Sequence, residues 1–375
     1  MTSIIKSNIK KSFVVTLLAF SLLTGCGNSS NDGDKNNSYA KVKPSSTLSE
    51  SVSPSPTVLE VEDTPLPTID VEVVKPDESG KIMVVMFHNF VQSFEPTKYD
   101  NGAYTTTFDE FRKLLTNLYD QDYRLISMTD YLENNISVSA GCIPMIFTFD
   151  DGTSGQFNLV NENENLVANK NSAVGIIEEF NKTHPDFGVE GTFYVNLGNS
   201  TFEGEGTLEE RLKYLVDKGF EIGNHTYTHI NLTSAKNSDQ IQQEIGRNQK
   251  TMYELIPKYK MNTFSLPYGA PSKDLQEYVQ KGEYEGTKYE NLAIMEVGWD
   301  PTFSPVSKSF NPLSVHRVRA SGINPVEADL AWWIDNLSRE GQYISDGNPD
   351  TVTVPKSKEE NVDNDKLQGK TLVVY

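Results

Sequence analysis

Cysteine is almost missing from this chain. Its 375 residues hold only Cys26 and Cys142, so a disulfide framework is excluded as the source of its stability. Basic residues are in deficit, with 33 lysines and arginines against 52 aspartates and glutamates and a formal net charge of −19. A chain this acidic, with no basic run, excludes nucleic acid as a partner. Long apolar runs are also absent. The run FVVTLLAFSLL from Phe13 to Leu23 is well short of the ~20 residues a membrane-spanning helix needs.

That short run has a different meaning. Lys6, Lys10 and Lys11 precede it and small residues follow it, the layout of a secretory signal over residues 1–25. Cys26, directly after Leu23-Thr24-Gly25, resembles the cysteine of a bacterial lipobox. The resemblance implies cleavage before Cys26 and lipidation of its thiol. A lipid anchor on the extracellular face of a bacterial membrane is therefore expected. Cys142 is then alone, and its place before an apolar strand reads as a buried structural thiol. Residues 26–80 are rich in Ser, Pro, Asn and charge. They cannot bury enough surface to fold and read as a spacer.

Order is expected over residues 81–355, followed by a charged tail at 356–375 with a possible edge strand in TLVVY. Apolar runs at KIMVVMF, YRLIS, IPMIFTF, GTFYVNL, FEIGN, TFSLP and LAIMEV read as strands. Helical spacing predicts helices in TTFDEFRKLLTNLYDQ, AVGIIEEFN, LEERLKYLVDKG, QIQQEIGRNQKTMYELI and PVEADLAWWIDNLSRE, the last with Pro325 near its start. The alternation argues for a parallel α/β fold. His88, Asp150, Asp151, His225, Pro267 and Tyr268 all follow strand runs, and strand C-termini are where a parallel barrel carries its working residues.

Two of these groups carry chemistry. Asp150 and Asp151 end the strand IPMIFTFDD, and successive strand residues face opposite ways, so the two carboxylates are free for different jobs. His225 and His229 are four apart, a spacing that on a helix places both rings on one face. One carboxylate with two imidazoles forms a half-open divalent metal site. The spare carboxylate beside it is a ready general base. The set points to hydrolysis by a metal-activated water. Zinc is the default ion for such ligands, with cobalt, nickel or iron also accepted.

TFDDG, HTYTH and LPYG in this order resemble the polysaccharide deacetylases, the NodB-like carbohydrate esterases. The resemblance implies a distorted (β/α) barrel of about seven parallel strands and removal of acetyl groups from an N-acetylglucosamine polymer or from xylan. It assigns Asp150 as base and Asp151, His225 and His229 as metal ligands. It gives the Tyr268 N–H, after Pro267, to the oxyanion and Trp299 to a wall against the acetyl methyl group. The acid departs from the common pattern, because no histidine follows Pro325. Met86-Phe87-His88 instead resembles the permuted extracellular poly-N-acetylglucosamine deacetylases, which nominates His88, with His316 as rival. A second departure is Ser265, where the family often has an arginine that holds the base; Arg317 or Arg319 is expected to replace it. The expected partner is an acetylated extracellular polysaccharide and the expected state a monomer. An acetylxylan-type esterase and a weakly active glycan-binding lipoprotein are the competing readings.

Overall fold

Seven short strands pair side by side in one direction and set the architecture. They are β1 (Lys81–Phe87), β2 (Ile143–Asp151), β3 (Thr192–Val195), β4 (Glu221–Asn224), β5 (Thr263–Ser265), β6 (Ala293–Met295) and β7 (Val318–Arg319). The computed structural model describes residues 69–98, 101–298 and 300–375. The strand order is β6-β5-β4-β3-β2-β1-β7, parallel at every junction. A parallel bridge between Met295 and Val315 joins β6 to the segment that leads into β7, so the first and last strands meet as neighbours in a distorted barrel. The short strand Tyr123–Leu125 adds to the lower part of β2, and Thr302–Phe303 runs antiparallel to β1.

Both faces of these strands are buried, which is why they read as unbroken apolar runs and not as alternating ones. On β1, Ile82 and Val84 point inward and pack with Ile146, Tyr194, Met295 and Val315. Met83, Val85 and Phe87 point outward, beneath the helices, with Phe111, Leu115, Phe147, Phe149 and Ile177. Each fully buried side chain of this size contributes roughly 1.5–3 kcal/mol.

The covering helices have visible local causes. Phe108–Asp120 starts at a capping box of Thr107 and Glu110 and buries Phe108, Phe111, Leu115 and Leu118. Leu208–Asp217 repeats the device with Thr207 and Glu210. Ala173–Asn181 covers the segment AVGIIEEFN as expected. The helix Ser238–Leu255 is capped by Asn237 and so starts two residues ahead of the expected segment QIQQEIGRNQKTMYELI. The last helix is shorter than its pattern, Leu330–Asn336, because Asp329 caps it and Pro325 falls outside. None of the described helices is long and apolar enough to cross a membrane.

The folded region is wider than the sequence suggests. Asp77 pairs with Ile344, ahead of the expected start at 81. Residues 356–375 are ordered where a charged tail was expected, and the edge strand expected in TLVVY is present, with Thr371–Val374 paired in parallel with Thr351–Val354. The reason is a small core of its own, with Val306, Val352, Val354 and Val362 packed against Leu367, Leu372 and Val374.

Glu78 clasps this region to the barrel. Its carboxyl accepts from the N–H groups of Thr353 (2.9 Å) and Asp346 (3.3 Å) and from the Tyr343 hydroxyl (3.1 Å). Burial, then the neighbouring Asp346, pushes its pKa up to about 8. A carboxyl whose pKa rises on folding contributes stability that is complete below its unfolded value, about 4.3, and is lost as pH rises through the folded one. The unfolding midpoint is therefore expected to fall by on the order of 5 °C between pH 5 and pH 8. Glu78→Gln should abolish that slope, read by thermal unfolding against pH.

Candidate active site

Asp150 is the last inward-facing residue of β2, and its position follows from alternation with Ile146 and Thr148. Its carboxylate is buried, and Arg317 grips both oxygens, Nη1 to Oδ1 at 2.7 Å and Nη2 to Oδ2 at 2.8 Å. Arg317 enters from the start of β7 and is 0% exposed. Its remaining N–H groups donate to the Ser265 hydroxyl (2.8 Å), the Thr148 hydroxyl (3.2 Å) and the Glu296 carbonyl (3.1 Å). Ser265 in turn donates to Asp150 Oδ2 at 3.1 Å. Burial pushes the Asp150 carboxyl up, but Arg317 and then His225 outweigh it and hold the group well below the usual carboxylate range. The two candidate arginines therefore separate. Arg317 reaches Asp150, whereas Arg319 lies over the Tyr104 ring at 5.0 Å.

Asp151 follows at a sharp turn of the chain, with φ of 81°. Oδ1 lies 3.5 Å from His225 Nε2 and 3.3 Å from His229 Nε2. The three ligand atoms lie within 4.8 Å of one another. The edges of a tetrahedron about an ion with 2.0–2.2 Å bonds run to about 3.3–3.6 Å, so these residues fit a metal of that size. The His225 Nδ1 meets the Ser265 carbonyl at 2.8 Å, which fixes the ring and leaves Nε2 toward Asp151. Burial works against the charged His225 ring, but Asp150 and Asp151 outweigh it and raise its pKa. For His229, burial and then His225 lower it.

The two histidines do not share a helix face. They sit on a loop after β4, with Thr226 and His229 both in the left-handed region at φ of 64° and 59°. Asn196 holds the loop by donating to the carbonyls of His225 and Thr226, and the Asn224 side chain accepts from the Thr226 N–H at 3.0 Å. The rings come to 4.9 Å. Tyr268, also left-handed at φ of 60°, lies edge-on to His229 at 4.9 Å and is 66% exposed. Left-handed non-glycine residues are costly and collect where a structure needs a particular side-chain placement. Pro267 before it is buried, with its carbonyl accepting from the Gly269 N–H at 2.7 Å.

His88 follows β1 at the same rim. Its Nδ1 is buried with no hydrogen-bond partner among the described residues. Burial lowers its pKa, against the opposing pull of Asp150 and Asp151. The buried Gln156 donates to the His88 carbonyl at 2.6 Å and also to the Asp150 carbonyl, tying the ends of β1 and β2 together. His316 lies instead beside Glu296 at 3.8 Å. Gln156, Asn196, Thr148 and Tyr104 belong to the site's surroundings, and no sequence motif marked them. Trp299 and Cys26 lie outside the described residues, as do the signal peptide and most of the spacer. Cys142 is buried.

A sequence model described as polysaccharide deacetylase matches residues 138–287. No curated protein matches the sequence. Among solved structures, a polysaccharide deacetylase from Bacillus cereus aligns over 69% of this chain and 70% of its own, at 17% identity and a TM-score of 0.50. A Streptococcus pyogenes deacetylase solved with acetate aligns over 65% and 93%, at 17% identity and a TM-score of 0.48. A de-N-acetylase from Aggregatibacter actinomycetemcomitans aligns over 63% and 94%, at 14% identity and a TM-score of 0.44. The Bacillus protein shares the distorted barrel. The segment that carries Asp150, Asp151, His225, His229 and Tyr268 is thus the one that matches the polysaccharide deacetylase model, and it sits in the fold that the Bacillus protein shares.

Proposed function

We propose that this protein is a metal-dependent deacetylase of an extracellular N-acetylglucosamine polymer, in the cell envelope or a biofilm. The observation that carries the reading is the Arg317 fork on Asp150 beside the Asp151, His225 and His229 set. A merely structural carboxylate does not need a buried arginine next to three convergent metal-ligand atoms. A divalent ion held by those three residues, zinc by the donor set, would supply Lewis acidity toward water and the acetyl carbonyl.

The chain's own groups do the rest. Asp150 stays ionised across the working pH range and accepts the proton of the attacking water. The guanidinium of Arg317 fixes the carboxylate in direction. The Tyr268 N–H has no acceptor among the described residues and faces the role of oxyanion donor. His88 delivers a proton to the leaving nitrogen, which an amide requires for departure. Pro267 sets the turn that presents Tyr268, and Trp299 is assigned to the acetyl pocket.

The test is acetate release by the full chain, stripped with chelator and reloaded with Zn²⁺. Chitooligosaccharides are expected to lose acetate only after reloading. Release from acetylated xylan alone would move the assignment to an esterase, and no metal-dependent release from either would sink the enzyme reading.

The proposed location is the outer face of the bacterial membrane, tethered by a lipid on Cys26. Cys26→Ser is expected to move the protein from the membrane fraction to the soluble one. Retention in the membrane would point to another anchor. The tether favours polymer within a linker's reach of the membrane.

A further inference from the structure

The paired register of β1 and β2 stops at Phe87 opposite Phe149, one residue short of His88 and Asp150. The chain then leaves β1 and continues as Asn89–Val91, paired with Thr105–Thr107. Gln156 adds the link that the register lacks. Its side chain donates to the His88 carbonyl at 2.6 Å and also to the Asp150 carbonyl. Both partners are acceptors only, so the amide nitrogen must face them. Gln156 is 0% exposed, and its Oε1 is buried with no partner among the described residues. An unpaired buried acceptor is destabilising, so the residue is held here for its nitrogen. A hydroxyl offers one donor and an ammonium brings a charge, whereas a neutral amide offers two donors on one atom. The loop that carries Gln156 is seated on the continuation of β1. A Cβ on Gly155 would lie 2.0 Å from the Phe90 carbonyl oxygen, so the close approach requires glycine. On the other side the Gly155 and Gln156 carbonyls accept from the N–H groups of Ala173 (3.0 Å) and Val174 (3.1 Å), at the start of the helix Ala173–Asn181.

We propose that Gln156 is a positioning residue that sets the separation of the two proton-transfer groups, the base on Asp150 and the acid on His88. The inference rests on the proposed deacetylase reading. One group takes a proton from the attacking water and the other gives a proton to the leaving nitrogen, so both must reach substituents of a single tetrahedral carbon. A misplacement of ~1 Å costs on the order of 10² in rate. Arg317 fixes the direction of the Asp150 carboxylate. Gln156 fixes the two strand ends from which the carboxylate and the imidazole project. It acts through their backbone and not on the substrate.

The experiment uses the full zinc-loaded chain and Gln156→Met, which keeps the length of the side chain and removes both donors. On a chitooligosaccharide kcat is expected to fall about 100-fold while KM stays within about threefold. Hydrolysis of 4-nitrophenyl acetate, whose leaving group needs no acid, should fall by about tenfold at most. Zinc affinity, read by competition with a chromophoric chelator, should keep its wild-type value, because His225 and His229 come from the loop after β4. Gln156→Asn keeps both donors on a shorter stem and is expected to lose about tenfold in kcat; it serves as the test if Gln156→Met does not fold. NMR spectra with isotope-labelled histidine read placement without turnover. The His88 ring signals should move in the variants, and those of His184 and His316 should not. Wild-type kcat in a folded variant overturns the proposal, as does an equal loss on the amide and the ester, a loss confined to KM or to zinc affinity, or His88 signals that stay in place. If the wild type releases no acetate but the His88 signals move, the placement by Gln156 stands and the deacetylase reading falls.

Discussion

Arg317→Met is expected to cost on the order of 3–5 kcal/mol of stability and to lower acetate release by roughly 10²–10⁴. Asp150 is 2% exposed and Arg317 0%, so removing the guanidinium leaves a carboxylate with neither water nor a counter-charge. The cost is mostly this stranded charge and not the loss of a favourable pair. The group escapes it by taking up a proton, and a protonated Asp150 is no base.

The sign of the pH dependence then reverses. In the wild type the depressed Asp150 pKa gives stability that is present above the unfolded value, about 3.9, and lost as pH falls through the folded one. In Arg317→Met the pKa is raised, so the same group loses stability as pH climbs above about 4. Denaturant unfolding at pH 4 and pH 7 reads both slopes. Asp150→Asn combined with Arg317→Met should recover much of the stability and none of the activity, because the buried charge is gone and so is the base. Arg317→Lys should rescue little, since a single ammonium cannot span both oxygens. Wild-type stability and turnover in Arg317→Met would remove Arg317 from the site.

The sequence shows the parts of this site that are close together along the chain. Asp150 and Asp151 stand at the end of a run that is apolar on both faces, and period and composition together mark them as a strand terminus. His225 and His229 are legible as a pair, but their backbone is not. Helical spacing predicts a shared face, while the loop reaches the same end through left-handed residues at Thr226 and His229 that no periodicity encodes. Arg317 lies 167 residues from Asp150. Ser265 signals only that something is missing. The guanidinium reaches the carboxylate because the bridge of Met295 to Val315 brings β7 beside β1, and that closure is a property of the whole barrel. Within residues 356–375 only the terminal strand in TLVVY was legible, and the rest was not, for a related reason. Their apolar residues are too sparse to show a period and fold only against Val306 and Val352, contributed from elsewhere.

The second large effect concerns His88, and the substrate's leaving group isolates it. An amine departs from a tetrahedral intermediate only after protonation, whereas a nitrophenolate departs without it. His88→Gln is therefore expected to lower kcat on a chitooligosaccharide by roughly 10²–10⁴, and to change hydrolysis of 4-nitrophenyl acetate by less than about tenfold. The pH profile supplies the second reading. Burial lowers the His88 pKa and the carboxylates of Asp150 and Asp151 only partly restore it, so the protonated ring is lost as pH rises through a value under the ordinary 6.5. On the amide substrate kcat/KM should carry an alkaline limb beginning there. In His88→Gln that limb should be absent, leaving a low and flatter profile. The buried and unpartnered Nδ1 gives the structural reason to expect this split. A buried imidazole nitrogen ordinarily finds a partner within the protein, and His88 Nδ1 has none among the described residues. If the variant lost both substrates equally and kept the alkaline limb, His88 would be a packing residue. The proton would then have to come from Asp150, returning what it took from the water.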